Sequence, residues 1–215
     1  LHYPVAKAAL LAGKHVYCEK PLAGMARDAK EMADAAEALG VKTQVGFNYI
    51  CNPMLGLARE MITSGELGEI RVIQAEYAQD WLSEVADNKQ ADWRVNPEKS
   101  GAGAIGDIGT HALNLASFVS GLQPQALCAD LHSFVDGRRV DDNAHIMLRF
   151  EKGAKGMLWA SQVAVGCENT LTLRIYGEKA GLEWQQENPN QLSFTRFGQA
   201  KQLLTRGGAG FGETA

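Results

Sequence analysis

Lys14-His15-Val16-Tyr17-Cys18-Glu19-Lys20-Pro21, residues 14–21, is the stretch on which the reading of this chain turns. Residues 14–18 suit a short buried strand, and Pro21 ends it, because proline has no N–H to give a ladder. Upstream, residues 5–12 read as a short helix stopped at Gly13. Downstream, Ala26, Ala29, Met32, Ala33, Ala36 and Leu39 recur at helical steps. A helix over 26–39 is predicted, with Gly40 as its stop. Residues 41–46 supply the next strand. Strand, helix and strand in that order predict a right-handed parallel crossover, the tail of a doubly wound sheet. A lysine just past a strand end, as Lys20 is, stands where it can touch a bound cofactor.

The rest of the chain changes character. A helix is predicted over 53–63, with Pro53 in its first turn and Gly65 beyond it. A strand follows over 70–79, then a long polar, glycine-containing loop over 80–104, of the kind that usually carries function. Residues 107–120 read as a helix with Asp107 as candidate N-cap. Strands are predicted over 126–134, 143–150, 154–163, 170–176, 180–185 and 191–196. Asp136-Gly137 and Lys152-Gly153 are turn signals, the latter joining a hairpin.

Composition excludes several classes of partner. The chain has 215 residues, a net charge of −4, 46% hydrophobic and 21% charged residues. That balance argues against nucleic acid or an anionic membrane surface as main partner. No apolar run approaches the roughly 20 residues a bilayer span needs, and no secretory signal is expected. Cys18, Cys51, Cys128 and Cys167 are widely spaced, with no CxxC pair. They are expected to be reduced and mostly buried in a cytoplasmic protein, with neither zinc site nor disulfide framework.

A second constellation lies far from the first. Gly106-Asp107-Ile108-Gly109-Thr110-His111 sets a carboxylate and an imidazole one helical turn apart, on one face. Histidine titrates near neutrality and can serve as a general base, with the carboxylate orienting it. Gly101, Gly103, Gly106 and Gly109 surround the pair and are expected to let backbone approach a ligand. Trp93-Arg94 offers an aromatic face and a fork of donors that suit a polyol. Asp80, Trp81 and Asp141-Asp142-Asn143 carry less weight, the last being either cleft lining or a polar turn. His2, His15, His132 and His145 are not clustered and read as structural.

The Ala12-Gly13-Lys14-His15-Val16 and Glu19-Lys20-Pro21-Leu22 runs, with Asp107 and His111 downstream, resemble the Gfo/Idh/MocA oxidoreductases. The resemblance extends to the strand around Arg174-Ile175-Tyr176-Gly177. It implies an α/β architecture: the tail of a Rossmann-type parallel sheet over 1–50, then over 51–215 a large mixed, mainly antiparallel sheet with helices on one face. It implies an NAD- or NADP-dependent dehydrogenase of a sugar, inositol or related polyol, with Lys20, Asp107 and His111 catalytic. Glu19, Lys20, Pro21 and Asn48 would face the cofactor. Lys20, Trp93, Arg94, Asp107 and His111 would face substrate. Family members commonly carry arginine two places after the residue matching Asn48; here that place is Ile50.

Two further expectations follow. No Gly-x-Gly-x-x-Gly precedes the first strand, so the chain is expected to be a fragment lacking the phosphate-binding half of the nucleotide fold and a C-terminal stretch. The alternative to a dehydrogenase is then a non-enzymatic sheet module. Leu127, Leu131, Phe134, Met147, Leu148, Phe150, Met157, Leu158 and Trp159 also offer more apolar surface than one helical layer covers. A homodimer or homotetramer through the sheet face is expected.

Overall fold

The computed structural model describes residues 2–86 and 88–207, and the chain divides into two units between Asn48 and Tyr49. The first unit holds α1 (His2–Leu11), β1 (Val16–Cys18), α2 (Ala26–Ala38) and β2 (Thr43–Val45). β1 and β2 pair in parallel, Val16 opposite Thr43 and Cys18 opposite Val45. Of the periodic positions in α2, Met32 and Ala36 are buried, against Ala6 and Leu10 of α1. Gly40 takes the left-handed conformation just past α2, as a helix stop requires.

The second unit opens with α3 (Pro53–Thr63), whose first turn is capped by Asn52 Oδ1 accepting from Met54 N at 2.8 Å. It continues through β3 (Ile70–Ala78), α4 (Lys89–Arg94), α5 (Pro97–Ser100), a π-helical turn at Ile105–Gly109 and α6 (Thr110–Ser120). β4 (Pro124–His132), β5 (Asn143–Phe150), β6 (Lys155–Ser161), β7 (Thr170–Gly177), β8 (Ala180–Gln185), β9 (Gln191–Arg196) and β10 (Gln202–Thr205) complete it. The strands form one eight-stranded sheet in the order β10-β9-β8-β7-β3-β6-β5-β4. β3 and β6 run parallel; every other neighbouring pair is antiparallel.

Alternation along the strands sends one set of side chains under the helices. Ile73 and Ala75 of β3, Leu158 and Ala160 of β6, and Leu171, Leu173 and Ile175 of β7 pack with Met54, Leu55 and Ala58 of α3 and Leu115 and Val119 of α6. Of the apolar residues expected to exceed what the helices cover, Leu127, Leu131 and Phe134 are exposed, but the set does not lie on one side. Leu148, Phe150 and Leu158 are buried in the core, whereas Met147 and Met157 are 64% and 57% exposed and face each other across β5 and β6. The middle of the face away from the helices is ionic: Arg174 pairs with Glu76 at 3.1 Å and with Glu183 at 3.4 Å. Arg174 of β7 lies directly opposite Glu183 of β8, while on β3 it lies opposite Gln74 and reaches Glu76 two places along the strand.

Three further expectations need correction. The 80–104 segment is not one long loop, because Asn88 caps α4 and Asn96 caps α5 through their side-chain oxygens. Strand β10 went unread. The four cysteines are free as expected but not mostly buried: Cys18 is buried, Cys51 and Cys128 are exposed and Cys167 is intermediate.

Leu173 is fully buried at the centre of the sheet. Leu173→Ala is expected to lower unfolding stability by about 2–5 kcal/mol. Arg174→Ala, next along the strand on the open face, should change it by less than about 1 kcal/mol. Guanidinium unfolding curves compare the two.

Candidate active site

The site in the second unit is built on the π-helical turn. Asp141 holds its start: Oδ1 accepts from Gly103 N at 2.9 Å, Oδ2 from Ile105 N at 2.7 Å, and the Asp141 carbonyl accepts from Ala104 N at 2.8 Å. A helix start leaves N–H groups without partners, and one aspartate satisfies three in succession. Gly103 makes the fit possible, since a Cβ there would lie 1.7 Å from the Asp141 carbonyl oxygen. Gly109 is likewise pressed on the chain itself, near Ile105 and Ala160, and Gly106 near Ala102. Gly101 is the left-handed cap of α5. These glycines serve packing and turns within the unit, which corrects the reading that they admit a ligand.

Asp107 sits inside this turn rather than at a helix cap, so its carboxylate is available elsewhere. Its Oδ2 accepts from Arg94 Nε at 2.8 Å and from Gln162 Nε2 at 3.0 Å. Both donors are themselves fixed. The Arg94 guanidinium lies over the rings of Trp93 and Trp81, 4.4 and 5.6 Å from their centroids. Gln162, buried, donates its backbone N–H to the Asp142 carbonyl and accepts from Leu82 N. Asp142, also buried, is tied to Arg138 and to the N–H groups of Phe134 and Val135. The Asp141-Asp142 pair thus supports the turn and Gln162 and does not line a cleft.

His111 follows one turn later, buried, on the first turn of α6. Tyr49 and Tyr77 stand edge-on to its ring, with centroids 5.1 and 6.2 Å away. The two tyrosine hydroxyls are 2.7 Å apart, and Tyr77 Oη donates to Asn169 Oδ1 at 2.8 Å. Burial first, then Tyr49, hold the Tyr77 hydroxyl well above the usual phenol range. Tyr77, Gln79, Gln162 and Asn169 escaped sequence reading. The available signal for Tyr77 was the phase of β3, which puts it on the helix-covered side with Ile73 and Ala75.

In the first unit, the residues named from the sequence gather at the end of β1. The Glu19 carboxylate lies against Gly46, where a Cβ would meet both its oxygens at 3.0 Å. The carboxylate accepts from Lys20 N at 3.2 Å, and His2 Nδ1 contacts the Pro21 carbonyl at 2.8 Å. The Lys20–Pro21 peptide bond is cis. Asn48, exposed, opens a single 3₁₀ turn, Asn48–Cys51.

Comparison with known proteins agrees with this fold. Residues 1–47 match a model described as an oxidoreductase family with NAD-binding Rossmann fold, and residues 56–183 match the GFO/IDH/MocA C-terminal domain. A two-domain oxidoreductase class is thereby defined. The chain belongs to the GFO/IDH/MocA family of oxidoreductases. It is 35% identical over 212 residues to the uncharacterized oxidoreductase YfiI of Bacillus subtilis, covering 96% of this chain and 54% of that protein. It is 32% identical over 215 residues to levoglucosan dehydrogenase of Pseudarthrobacter phenanthrenivorans, covering 89% of this chain and 54% of that protein. A solved inositol dehydrogenase homologue of Azotobacter vinelandii, in complex with NADH and myo-inositol, superposes with a TM-score of 0.89 at 37% identity, over 97% of this chain and 54% of the other. The chain therefore spans about half the length of the curated relatives it matches.

Two outcomes follow from this geometry. Asp141→Ala leaves the Gly103 and Ile105 N–H groups without their acceptor and should cost about 1–3 kcal/mol. Gly103→Ala, which drives a methyl into the Asp141 carbonyl, should cost at least as much; thermal melts of both variants are the check. The proton Tyr77 keeps in the fold makes its contribution to stability fully present below pH 10 and lost as pH rises beyond it, where the unfolded chain ionises. Tyr77→Phe should accordingly flatten the fall in stability between pH 10 and 11, measured by urea midpoints.

Proposed function

We propose that the protein is an NAD(P)-dependent dehydrogenase acting on a CH–OH group of a sugar, inositol or related polyol. The observation that carries this reading is Asp107, held by Arg94 and Gln162 one turn ahead of a buried His111. The names of the relatives, levoglucosan dehydrogenase and an inositol dehydrogenase homologue with NADH and myo-inositol, support the substrate class.

The residues of the chain fit that chemistry. Glu19, Lys20 and Pro21 follow the carboxyl end of a parallel strand, where open α/β sheets take nucleotides, and together with Asn48 they would hold the nicotinamide half of the cofactor. The cofactor, when bound, supplies the hydride acceptor. Lys20, a cation, would lower the pKa of the reacting hydroxyl, and His111 would take its proton as the carbon gives up hydride. Asp107 would orient His111 or accept a neighbouring hydroxyl. Trp93 and Arg94 would shape the substrate side, Arg94 acting mainly through Asp107 because its Nε is committed there.

In this reading a second copy covers the open sheet face around Met147 and Met157, whose exposure is the supporting observation. The free cysteines suit a reducing cytoplasm; no helix among the described residues is long and apolar enough to cross a membrane.

Titration with NADH and NADPH, followed by nicotinamide fluorescence, tests the reading directly. Saturable binding by at least one is expected, and Lys20→Ala should lower kcat/KM for a polyol by about 10²-fold or more. Absence of binding up to millimolar cofactor would sink the dehydrogenase reading for this chain and favour a sheet module without catalysis.

A further inference from the structure

Trp81, Gln79, Asn169, Tyr77 and Tyr49 form a continuous series of hydrogen bonds, and its direction follows from one group. The Trp81 indole Nε1 lies 2.9 Å from Gln79 Oε1, and an indole N–H can only donate. The Gln79 amide oxygen therefore faces Trp81, and its Nε2 faces Asn169 at 2.7 Å. The Asn169 atom there must accept, so it is Oδ1. Tyr77 Oη approaches the same oxygen at 2.8 Å and must give it its one proton. The 2.7 Å contact between the tyrosines then runs from Tyr49 to Tyr77. With its proton spent, Tyr49 Oη has only lone pairs to offer any third group. Its ring is half-buried and stands edge-on to His111.

We propose that this series makes Tyr49 Oη a dedicated hydrogen-bond acceptor for a ligand hydroxyl beside His111, with Gln79 and Trp81 as positioning residues that set its polarity. The ligand class is a polyol carrying a second hydroxyl next to the reacting one. A deoxy, ether or keto carbon at that position brings no proton and is disfavoured. The inference rests on the polyol reading above and adds to it a residue that selects among polyols. Tyr77 suits its place in the middle: buried and held protonated, it always has a proton for Asn169, so the direction does not reverse.

Polarity is tested by two isosteric variants that each add one negative charge. Asn169→Asp keeps an acceptor toward both Gln79 and Tyr77. Gln79→Glu sets a carboxylate oxygen against Asn169 Oδ1. The Gln79→Glu variant is expected to melt several degrees below Asn169→Asp; the reverse order would overturn the assigned direction. Ligand selection is tested by steady-state NAD⁺ reduction in the natural protein that carries this chain, with myo-inositol and its monodeoxy analogues. Tyr49→Phe should raise KM for myo-inositol about 10-fold, more than it lowers kcat, and leave KM unchanged for the one analogue that lacks the selected hydroxyl. Trp81→Phe, which keeps a ring for Arg94 but removes the donor, should shift KM the same way and by less. Equal shifts for every analogue would mean that Tyr49 only packs against His111, and the proposal falls. If the wild-type protein reduces no cofactor with myo-inositol or levoglucosan, the polyol reading fails and takes the ligand half of this inference with it, while the melting order still decides the polarity.

Discussion

The grip of Asp141 on the start of the π-helical turn is the constraint from which the second unit's site follows. Three consecutive N–H groups end on one residue, and the fit is so close that no side chain is possible at Gly103. A π turn is wider than an α turn and is seldom held without a reason, and it recurs at functional sites. Here the wider turn keeps Asp107 out of the role of helix cap. Its carboxylate is left to Arg94 and Gln162, and His111 is carried into α6 one turn later. The neighbouring Asp142 supports the same carboxylate by a second route, through the backbone of Gln162. Two adjacent aspartates, both bonded to the chain itself, thus position a third, Asp107.

Much of the fold could be read from residue patterns. The helix over 53–63 and the strands over 143–150, 180–185 and 191–196 coincide with α3, β5, β8 and β9. Each has strong periodicity and a turn or proline at its border. What escaped has no period to detect. A π turn of Ile105–Gly109 leaves no repeat in five residues, so Asp107 looked like a cap. The short helices α4 and α5 bury little, and only their capping asparagines and Pro97 marked them.

The candidate site was legible by half. Asp107 and His111 share a turn, so spacing alone joined them. Arg94 was read as a ligand donor, and its Nε turned out to serve Asp107, because a guanidinium near a half-buried carboxylate finds it before solvent. Tyr77 is placed by strand register, opposite Leu171 across β3 and β7, and Gln162 and Asn169 by the strand ends they adjoin, one past β6 and one before β7. Register is a property of the finished sheet, and nothing local in the sequence announces it.

The single parallel contact of the large sheet has a consequence for how the chain assembles. β3 cannot gain its β6 neighbour until everything from Gln79 to Ala154 has been made, since Val72 lies opposite Lys155. That intervening stretch carries Arg94, Asp107, His111 and Asp141, so the site is a detour between two halves of one ladder. Closing so distant a pair is entropically slow, and on a growing nascent chain the β3 edge stays open for that whole interval. The same arrangement separates two kinds of variation. Lengthening or rewriting the detour changes the residues of the candidate site, while the ladder that closes behind it keeps its register.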